Sequence, residues 1–149
     1  MPTLIADPQF KLYVICCSIL SFQMLVLAAM TAGKRANRQN YLNPEDVKVS
    51  RKDARLIDGA EHPDVARVQR AHRNLNESLP MFFALGLLCV LAGVSPLGAR
   101  ICIGGFTAAR LLHSVVYIKE MQPLRTIAYA LGSFALIGMM VQLILAVLA

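Results

Sequence analysis

The amino-acid sequence predicts an all-α membrane protein built as a bundle of four transmembrane helices. Of the 149 residues, 56% are hydrophobic and only 16% are charged, whereas about a quarter of the residues in a typical soluble domain are charged. Charged residues are also missing from three long stretches, Leu12 to Gly33, Ser78 to Ala99 and Thr126 to Ala149. About 20 helical residues cross the hydrocarbon core of a bilayer, so each stretch is long enough to span it.

The first predicted span runs from about residue 10 to residue 33. An N-terminal apolar stretch can also be a secretory signal peptide, in which basic residues precede the apolar run and small residues mark a cleavage site. Here Lys11 is the only base ahead of the run, Asp7 is acidic, and no clear cleavage site follows. We therefore expect a membrane span rather than a removable signal.

The other three spans are predicted at about 63–91, 97–119 and 123–148, with a short turn over residues 93–96. The third span is interrupted by Arg100, Arg110 and His113. Ionisable residues inside a span usually face protein or water and often mark a functional site. Residues 1–149 are thus predicted to form a single transmembrane domain, with a polar connection over about 34–62.

Ten of the fifteen Lys and Arg residues lie between Lys34 and Arg73. The positive-inside rule therefore predicts a cytoplasmic connection, with both ends of the chain on the opposite side. The host membrane would be the inner membrane in a bacterium or the endoplasmic reticulum in a eukaryote. The net charge of +6 does not indicate a nucleic-acid partner, because the basic residues follow the membrane ends and no DNA-binding motif is recognised.

Neither the cysteines nor the histidines indicate a metal site. The four cysteines, Cys16, Cys17, Cys89 and Cys102, lie in apolar runs without a Cys-x-x-Cys spacing, which is typical of buried, unreactive thiols. The three histidines are scattered and have no paired ligand spacing. We expect no bound metal.

Polar side chains cluster at one end of three predicted spans. They are Arg67, Arg70, Arg73, Asn74 and Glu77 at the start of the second span, Arg110, His113 and Tyr117 at the end of the third, and Arg125, Thr126 and Tyr129 at the start of the fourth. Spacings of three and four residues place most members of each cluster on one helix face. Because successive spans run in opposite directions, all three clusters meet at the same membrane level and predict one polar pocket.

Structural roles compete with this hypothesis for any single residue. Arginines near helix ends often extend toward water, and Glu77 could neutralise Arg70 or Arg73 within the bundle. The whole set is harder to explain in that way. Guanidinium groups bind carboxylates and Glu77 can accept an ammonium group, so the pocket favours a polar zwitterion. The bilayer would supply an apolar second substrate.

One further motif lies in the polar connection, Asn43-Pro44-Glu45-Asp46. By itself it predicts a helix start, with Asn as the N-cap, Pro in the first turn, and acidic residues near the positive end of the helix dipole.

Taken together, these residues resemble the family of membrane-associated proteins in eicosanoid and glutathione metabolism, MAPEG. The resemblance covers nearly the whole chain. It rests on Asn43-Pro44-Glu45-Asp46, on Arg70-Ala71-His72-Arg73-Asn74 with Glu77 and Pro80, on Arg110 with His113 and Tyr117, and on Pro123-Leu124-Arg125 with Tyr129. The pattern is most similar to the branch of microsomal glutathione transferases and prostaglandin E synthases, although Thr126 stands where the synthases have serine.

The resemblance implies a homotrimer that binds glutathione in clefts between subunits near the cytoplasmic face. The implied glutathione contacts are Arg35, Arg70, Arg73, Asn74, Glu77, His113, Tyr117, Arg125 and Tyr129. Arg125 would hold the glutathione sulfur as a thiolate, because a neighbouring cation lowers the pKa of a thiol. Thr126 could donate a hydrogen bond to that sulfur, and Asp46 becomes a candidate active-site residue.

Three functions are consistent with this resemblance. The leading hypothesis is a detoxifying transferase that conjugates glutathione to hydrophobic electrophiles, together with reduction of lipid hydroperoxides. The second is a glutathione-dependent isomerase of lipid endoperoxides. The third is a lipid-binding scaffold without catalysis, which the retention of Arg125 and of Arg70, Asn74 and Glu77 disfavours.

Overall fold

The computed structural model describes residues 4–50 and 54–149. After a short 3-10 helix at Leu4–Ala6, the elements are α1 (Pro8–Arg38), β1 (Asn40–Tyr41), α2 (Pro44–Val49), β2 (Arg55–Leu56), α3 (Pro63–Leu91), α4 (Pro96–Ile118) and α5 (Leu124–Leu148). Within these residues, α1, α3, α4 and α5 are long and apolar enough to cross a membrane. The prediction of a four-helix, multi-pass integral membrane protein is therefore confirmed.

Proline and a preceding capping residue mark the start of α1, α3 and α4. Asp7 accepts a hydrogen bond from the backbone N–H of Gln9 at 2.8 Å at the start of α1. The Nδ1 atom of His62 accepts one from the N–H of Asp64 at the start of α3. Each cap satisfies a backbone donor that the first helical turn leaves without a partner, and the proline that follows has no such donor to satisfy.

The first helix is longer than the predicted span. It continues past Gly33 to Arg38, through residues that include Lys34, Arg35 and Ala36, all good helix formers. Long basic side chains can hold their charges in water while the helix extends beyond the apolar layer. Arg35 therefore lies on a helix and not in a loop.

The helices α3 and α4 form the centre of the bundle. Each contacts the other three membrane helices, whereas α1 and α5 do not contact each other within the described residues. Phe106 of α4 stacks on Phe82 of α3, with ring centroids 4.5 Å apart and planes at 8°, and both rings are fully buried. A polar residue on the inner face of α4 can therefore reach three other helices.

The ends of α1 and α4 and the starts of α3 and α5 form one end of the bundle, which we call the polar end. Ion pairs connect its parts: Arg35 with Glu61, Arg38 with Asp64, and Arg67 with Glu120. Between α1 and α3, the short helix α2 connects two parallel two-residue strands, with Asn40 opposite Arg55 and Tyr41 opposite Leu56. The motif that begins at Asn43 does start a helix, at Pro44.

Candidate active site

A polar cavity of about 240 Å³ opens at the polar end between α3, α4 and α5. Its lining residues are Asn74 of α3, His113 and Tyr117 of α4, and Arg125, Thr126 and Tyr129 of α5. The spacing of four residues between His113 and Tyr117, and again between Arg125 and Tyr129, places each pair on one helix face. All six were among the residues that the sequence suggested for a site, and the structure brings them together.

A second cavity, of about 220 Å³, adjoins the first and shares Asn74 and Tyr129 with it. Its other lining residues include Glu77, Arg110 and Ser133 at one end and Leu136, Ile137 and Met140 further along α5. The wall thus changes from polar to apolar with distance from the polar end. A ligand with both polar and apolar parts would match this change.

Arg125 is the cation of the first cavity. Its guanidinium carbon lies 4.8 Å from the centroid of the Tyr117 ring, a geometry in which the ring face attracts the positive charge. The residue lies in the first turn of α5, where the helix dipole also favours negative charge. Thr126 follows directly and is exposed, so its hydroxyl is available to a ligand.

His113 is the buried member of an aromatic cluster. The side chain is only 3% exposed, and its ring centroid lies 5.5 Å from that of Tyr117 and 5.9 Å from that of Tyr129. An edge-to-face arrangement of such rings is favourable and restricts their rotation. The three rings therefore form an aromatic wall of the first cavity.

Arg110 is the most buried cation of the bundle, at 2% exposure. Its Nη1 atom lies 3.4 Å from Oδ1 of Asn74, and its guanidinium carbon lies 5.2 Å from the ring centroid of Phe106 and 5.1 Å from that of Tyr129. The family resemblance did not assign Arg110 to glutathione, although the spacing of polar residues did place it on the same face as His113.

Two supporting residues were not predicted from the sequence. Gln23 of α1 donates from Nε2 to the backbone oxygen of Arg110 at 3.0 Å and to the hydroxyl of Ser114 at 2.7 Å. The available signals were that Gln23 is the only amide side chain between Leu12 and Gly33, and that Ser114 follows Arg110 by one helical turn. Neither signal indicates which helix the side chain would meet.

Four of the predicted site residues do not line either cavity of the single chain. Arg70 and Arg73 are exposed on α3. Arg35 forms a two-point ion pair with Glu61, with Nε 2.5 Å from Oε1 and Nη2 3.2 Å from Oε2. Asp46 is exposed on α2 and accepts a hydrogen bond from Asn43.

An apolar groove of about 440 Å³ lies between α4 and α5. Its lining is entirely non-polar apart from Cys102, and it includes the small residues Gly105, Ala108, Ala109 and Ala135. Small side chains leave the space between the two helices open. Because both helices are candidate membrane spans, the groove offers room for an apolar molecule from the bilayer.

Within residues 4–50 and 54–149, no three His, Cys, Asp or Glu side chains lie close enough together to hold a metal ion.

Comparison with known proteins agrees with this architecture. The sequence model of the MAPEG family matches residues 13–145. The prostaglandin E synthase of Rattus norvegicus is 33% identical over 133 residues, which cover 89% of this chain and 85% of that protein. The prostaglandin E synthase of Bos taurus is 31% identical over the same shares. The microsomal glutathione S-transferase 1 of Homo sapiens is 29% identical over 93% of this chain and 90% of that protein. This chain therefore belongs to the MAPEG family.

Proposed function

We propose that the chain is a glutathione-dependent membrane enzyme that conjugates glutathione, through its thiolate sulfur, to hydrophobic electrophiles. This proposal rests on one observation: a polar cavity inside the membrane bundle is lined by Arg125, Thr126 and Tyr117. A guanidinium next to a thiol favours the thiolate, and the thiolate is the nucleophile. The similarity to a microsomal glutathione S-transferase supports glutathione as the source of that thiol.

The polar residues at this end of the bundle suit the groups that glutathione carries, which are two carboxylates, one ammonium group and one thiol. The arginines Arg70 and Arg73 are exposed next to Asn74 on α3 and would bind carboxylates. Glu77 lines the second cavity and would accept the ammonium group. Charge-assisted hydrogen bonds of this kind are about twice as strong as neutral ones.

In the proposed reaction, the glutathione thiol loses its proton to solvent and the sulfur attacks the electrophilic carbon. A carbon–sulfur bond forms, and the leaving group departs with its electron pair. Arg125 stabilises the thiolate, and the hydroxyl of Thr126 donates a hydrogen bond to the sulfur. Asp46 is proposed as a further active-site residue, contributed by the connection between α1 and α3.

The apolar groove between α4 and α5 supports a second substrate that arrives from the bilayer. With a lipid hydroperoxide, two molecules of glutathione would be oxidised to the disulfide while the hydroperoxide is reduced to an alcohol and water. The same thiolate would serve both reactions, because each begins with attack by sulfur.

We further propose that the enzyme is a homotrimer with glutathione in clefts between subunits, its site facing the cytoplasm. Three of the proposed ligands, Arg70, Arg73 and Glu77, are exposed on α3 in the single chain. A neighbouring subunit would cover this face and complete the binding site. The basic connection between α1 and α3 supports the cytoplasmic orientation.

A second candidate function is the isomerisation of a lipid endoperoxide with glutathione as a cofactor that is not consumed. It is supported by similarity to the prostaglandin E synthases at 31% and 33% identity. The two functions differ in their products. A transferase yields a conjugate and a peroxidase yields oxidised glutathione, whereas an isomerase leaves glutathione free.

The test is to incubate the purified protein with glutathione and, separately, a chlorinated nitroarene, a lipid hydroperoxide and a prostaglandin endoperoxide. The leading proposal predicts a glutathione conjugate of the nitroarene and oxidised glutathione from the hydroperoxide. Rearrangement of the endoperoxide alone would establish the isomerase. Absence of glutathione-dependent turnover with all three would refute an enzymatic role of this type.

A further inference from the structure

Arg110 joins all four membrane helices of the bundle. Its backbone oxygen accepts a hydrogen bond from Gln23 of α1, and its guanidinium contacts Asn74 of α3 and Tyr129 of α5. Within residues 4–50 and 54–149, no carboxylate forms an ion pair with Arg110, and its Nε atom has no hydrogen-bond partner. A buried cation in this position is costly, so a purely space-filling role does not explain it.

The partners of the guanidinium indicate what it does. Asn74 and Tyr129 are the two residues that line both polar cavities, and the guanidinium lies between their side chains. A cation stacked on a ring face restricts the orientation of that ring, while the contact at 3.4 Å turns the amide of Asn74 toward α4. Arg110 thereby connects α3 to α5 beside the two polar cavities.

We propose that Arg110 is a positioning residue for the glutathione site: it fixes Asn74 and Tyr129 relative to each other, and Gln23 fixes the part of α4 that carries it. This inference rests on the proposed function. Arg110 would act through these two neighbours, whereas Arg125 would act directly on the sulfur. Its planar guanidinium matters as much as its charge, because a lysine ammonium does not stack on a ring in the same way.

Gly132 of α5 allows a test that separates positioning from folding. A Cβ atom at this position would lie 3.1 Å from Nε and 3.4 Å from the guanidinium carbon of Arg110, so Gly132→Ala would displace the guanidinium slightly without removing any polar group. Replacing a helical glycine with alanine favours the helix itself. Gly104→Ala in α4 is the matched control, because a Cβ there meets no atom within 4 Å in the part of the chain that the structure describes.

The experiment measures thermal stability in detergent together with kcat and KM for glutathione. We expect Gly132→Ala to retain wild-type stability, to raise KM for glutathione about fivefold and to leave kcat nearly unchanged, since a change of this size corresponds to one weakened cation–ring contact. Arg110→Lys should raise KM in the same way, whereas Gly104→Ala should behave as wild type.

A second readout does not depend on glutathione. The chain contains four tyrosines, so fluorotyrosine labelling gives few resonances, and Tyr129→Phe assigns the signal of Tyr129. That signal should move in Gly132→Ala and stay in place in Gly104→Ala. A wild-type enzyme that turns over glutathione, with Gly132→Ala indistinguishable from Gly104→Ala in both readouts, would overturn this inference alone. A wild-type protein that binds no glutathione would overturn the proposed function as well.

Discussion

Arg110 and Arg125 show how the surroundings of a residue decide its role. Both are arginines near the polar end, and both lie over a tyrosine ring. Arg125 is partly exposed and lines a cavity, so a ligand from water can reach its guanidinium. Arg110 also lines a cavity, but it is buried at 2% exposure, and its guanidinium contacts Asn74, Phe106 and Tyr129. We therefore propose the direct chemistry for Arg125 and the positioning role for Arg110.

Replacement of Arg125 tests the proposed activation of the thiol. We expect Arg125→Ala to lower kcat/KM by about 100-fold or more, the usual effect of removing one preorganised charge-stabilising group. The fold should persist, because the side chain is not part of the core. The control is Arg100→Ala, at an exposed arginine near the start of α4, which should retain full activity. Equal activity of both variants would remove Arg125 from the mechanism.

Replacement of Glu77 tests the proposed contact with the ammonium group. Glu77→Gln keeps the size of the side chain but removes its charge, so KM for glutathione should rise by about tenfold, the cost of losing a charged hydrogen bond. Glu45→Gln, at an exposed residue of α2, is the matched control. Equilibrium binding of labelled glutathione gives the same comparison without turnover. An unchanged affinity in Glu77→Gln would place the ammonium group elsewhere.

At the scale of helices and connections, periodicity predicted which polar residues would meet at one end of the bundle. It did not predict contacts that depend on the rotation of a helix about its own axis. Alternating helix direction was enough to bring Asn74, His113 and Arg125 to one end. The contact of Gln23 with Ser114 could not be predicted, because α1 is apolar on most of its surface and its pattern does not fix a rotation. The pairing of Arg35 with Glu61 depends on the path of the connection between α1 and α3, which local sequence does not determine.

The link between α1 and α4 gives a prediction about stability. Gln23→Leu removes both hydrogen bonds to α4 and should lower the free energy of unfolding by about 1 kcal/mol, the usual size for polar contacts between membrane helices. Ser18→Ala is the control, because the hydroxyl of Ser18 donates a hydrogen bond to the backbone oxygen of Val14 in its own helix. Thermal unfolding in one detergent compares the two variants. The same midpoint for both would mean that this link adds no stability.

At the scale of the whole molecule, the fold class followed from charge-free stretches that only membrane helices explain. The number of subunits could not be predicted in the same way, because the periodicity of one chain does not determine how many copies assemble. The homotrimer is proposed from the family resemblance and from the polar face that α3 exposes.

The proposed assembly has a direct physical test. Light scattering of the protein purified in detergent, with the detergent contribution subtracted, should give three times the mass of one chain. Dissociation by a harsher detergent should then abolish glutathione binding, since the proposed clefts lie between subunits. A monomer that binds glutathione with full affinity would contradict the trimer and place the site within one bundle.

We propose above all that the cavity at the polar end converts bound glutathione to its thiolate. An unperturbed cysteine thiol has a pKa of about 8.5 and is mostly protonated at neutral pH. Ultraviolet difference absorption during titration of the wild-type protein with glutathione at neutral pH should therefore show a saturable thiolate signal, which Arg125→Ala should lack. A wild-type protein that binds glutathione without a thiolate signal, or an equal signal in Arg125→Ala, would contradict the claim.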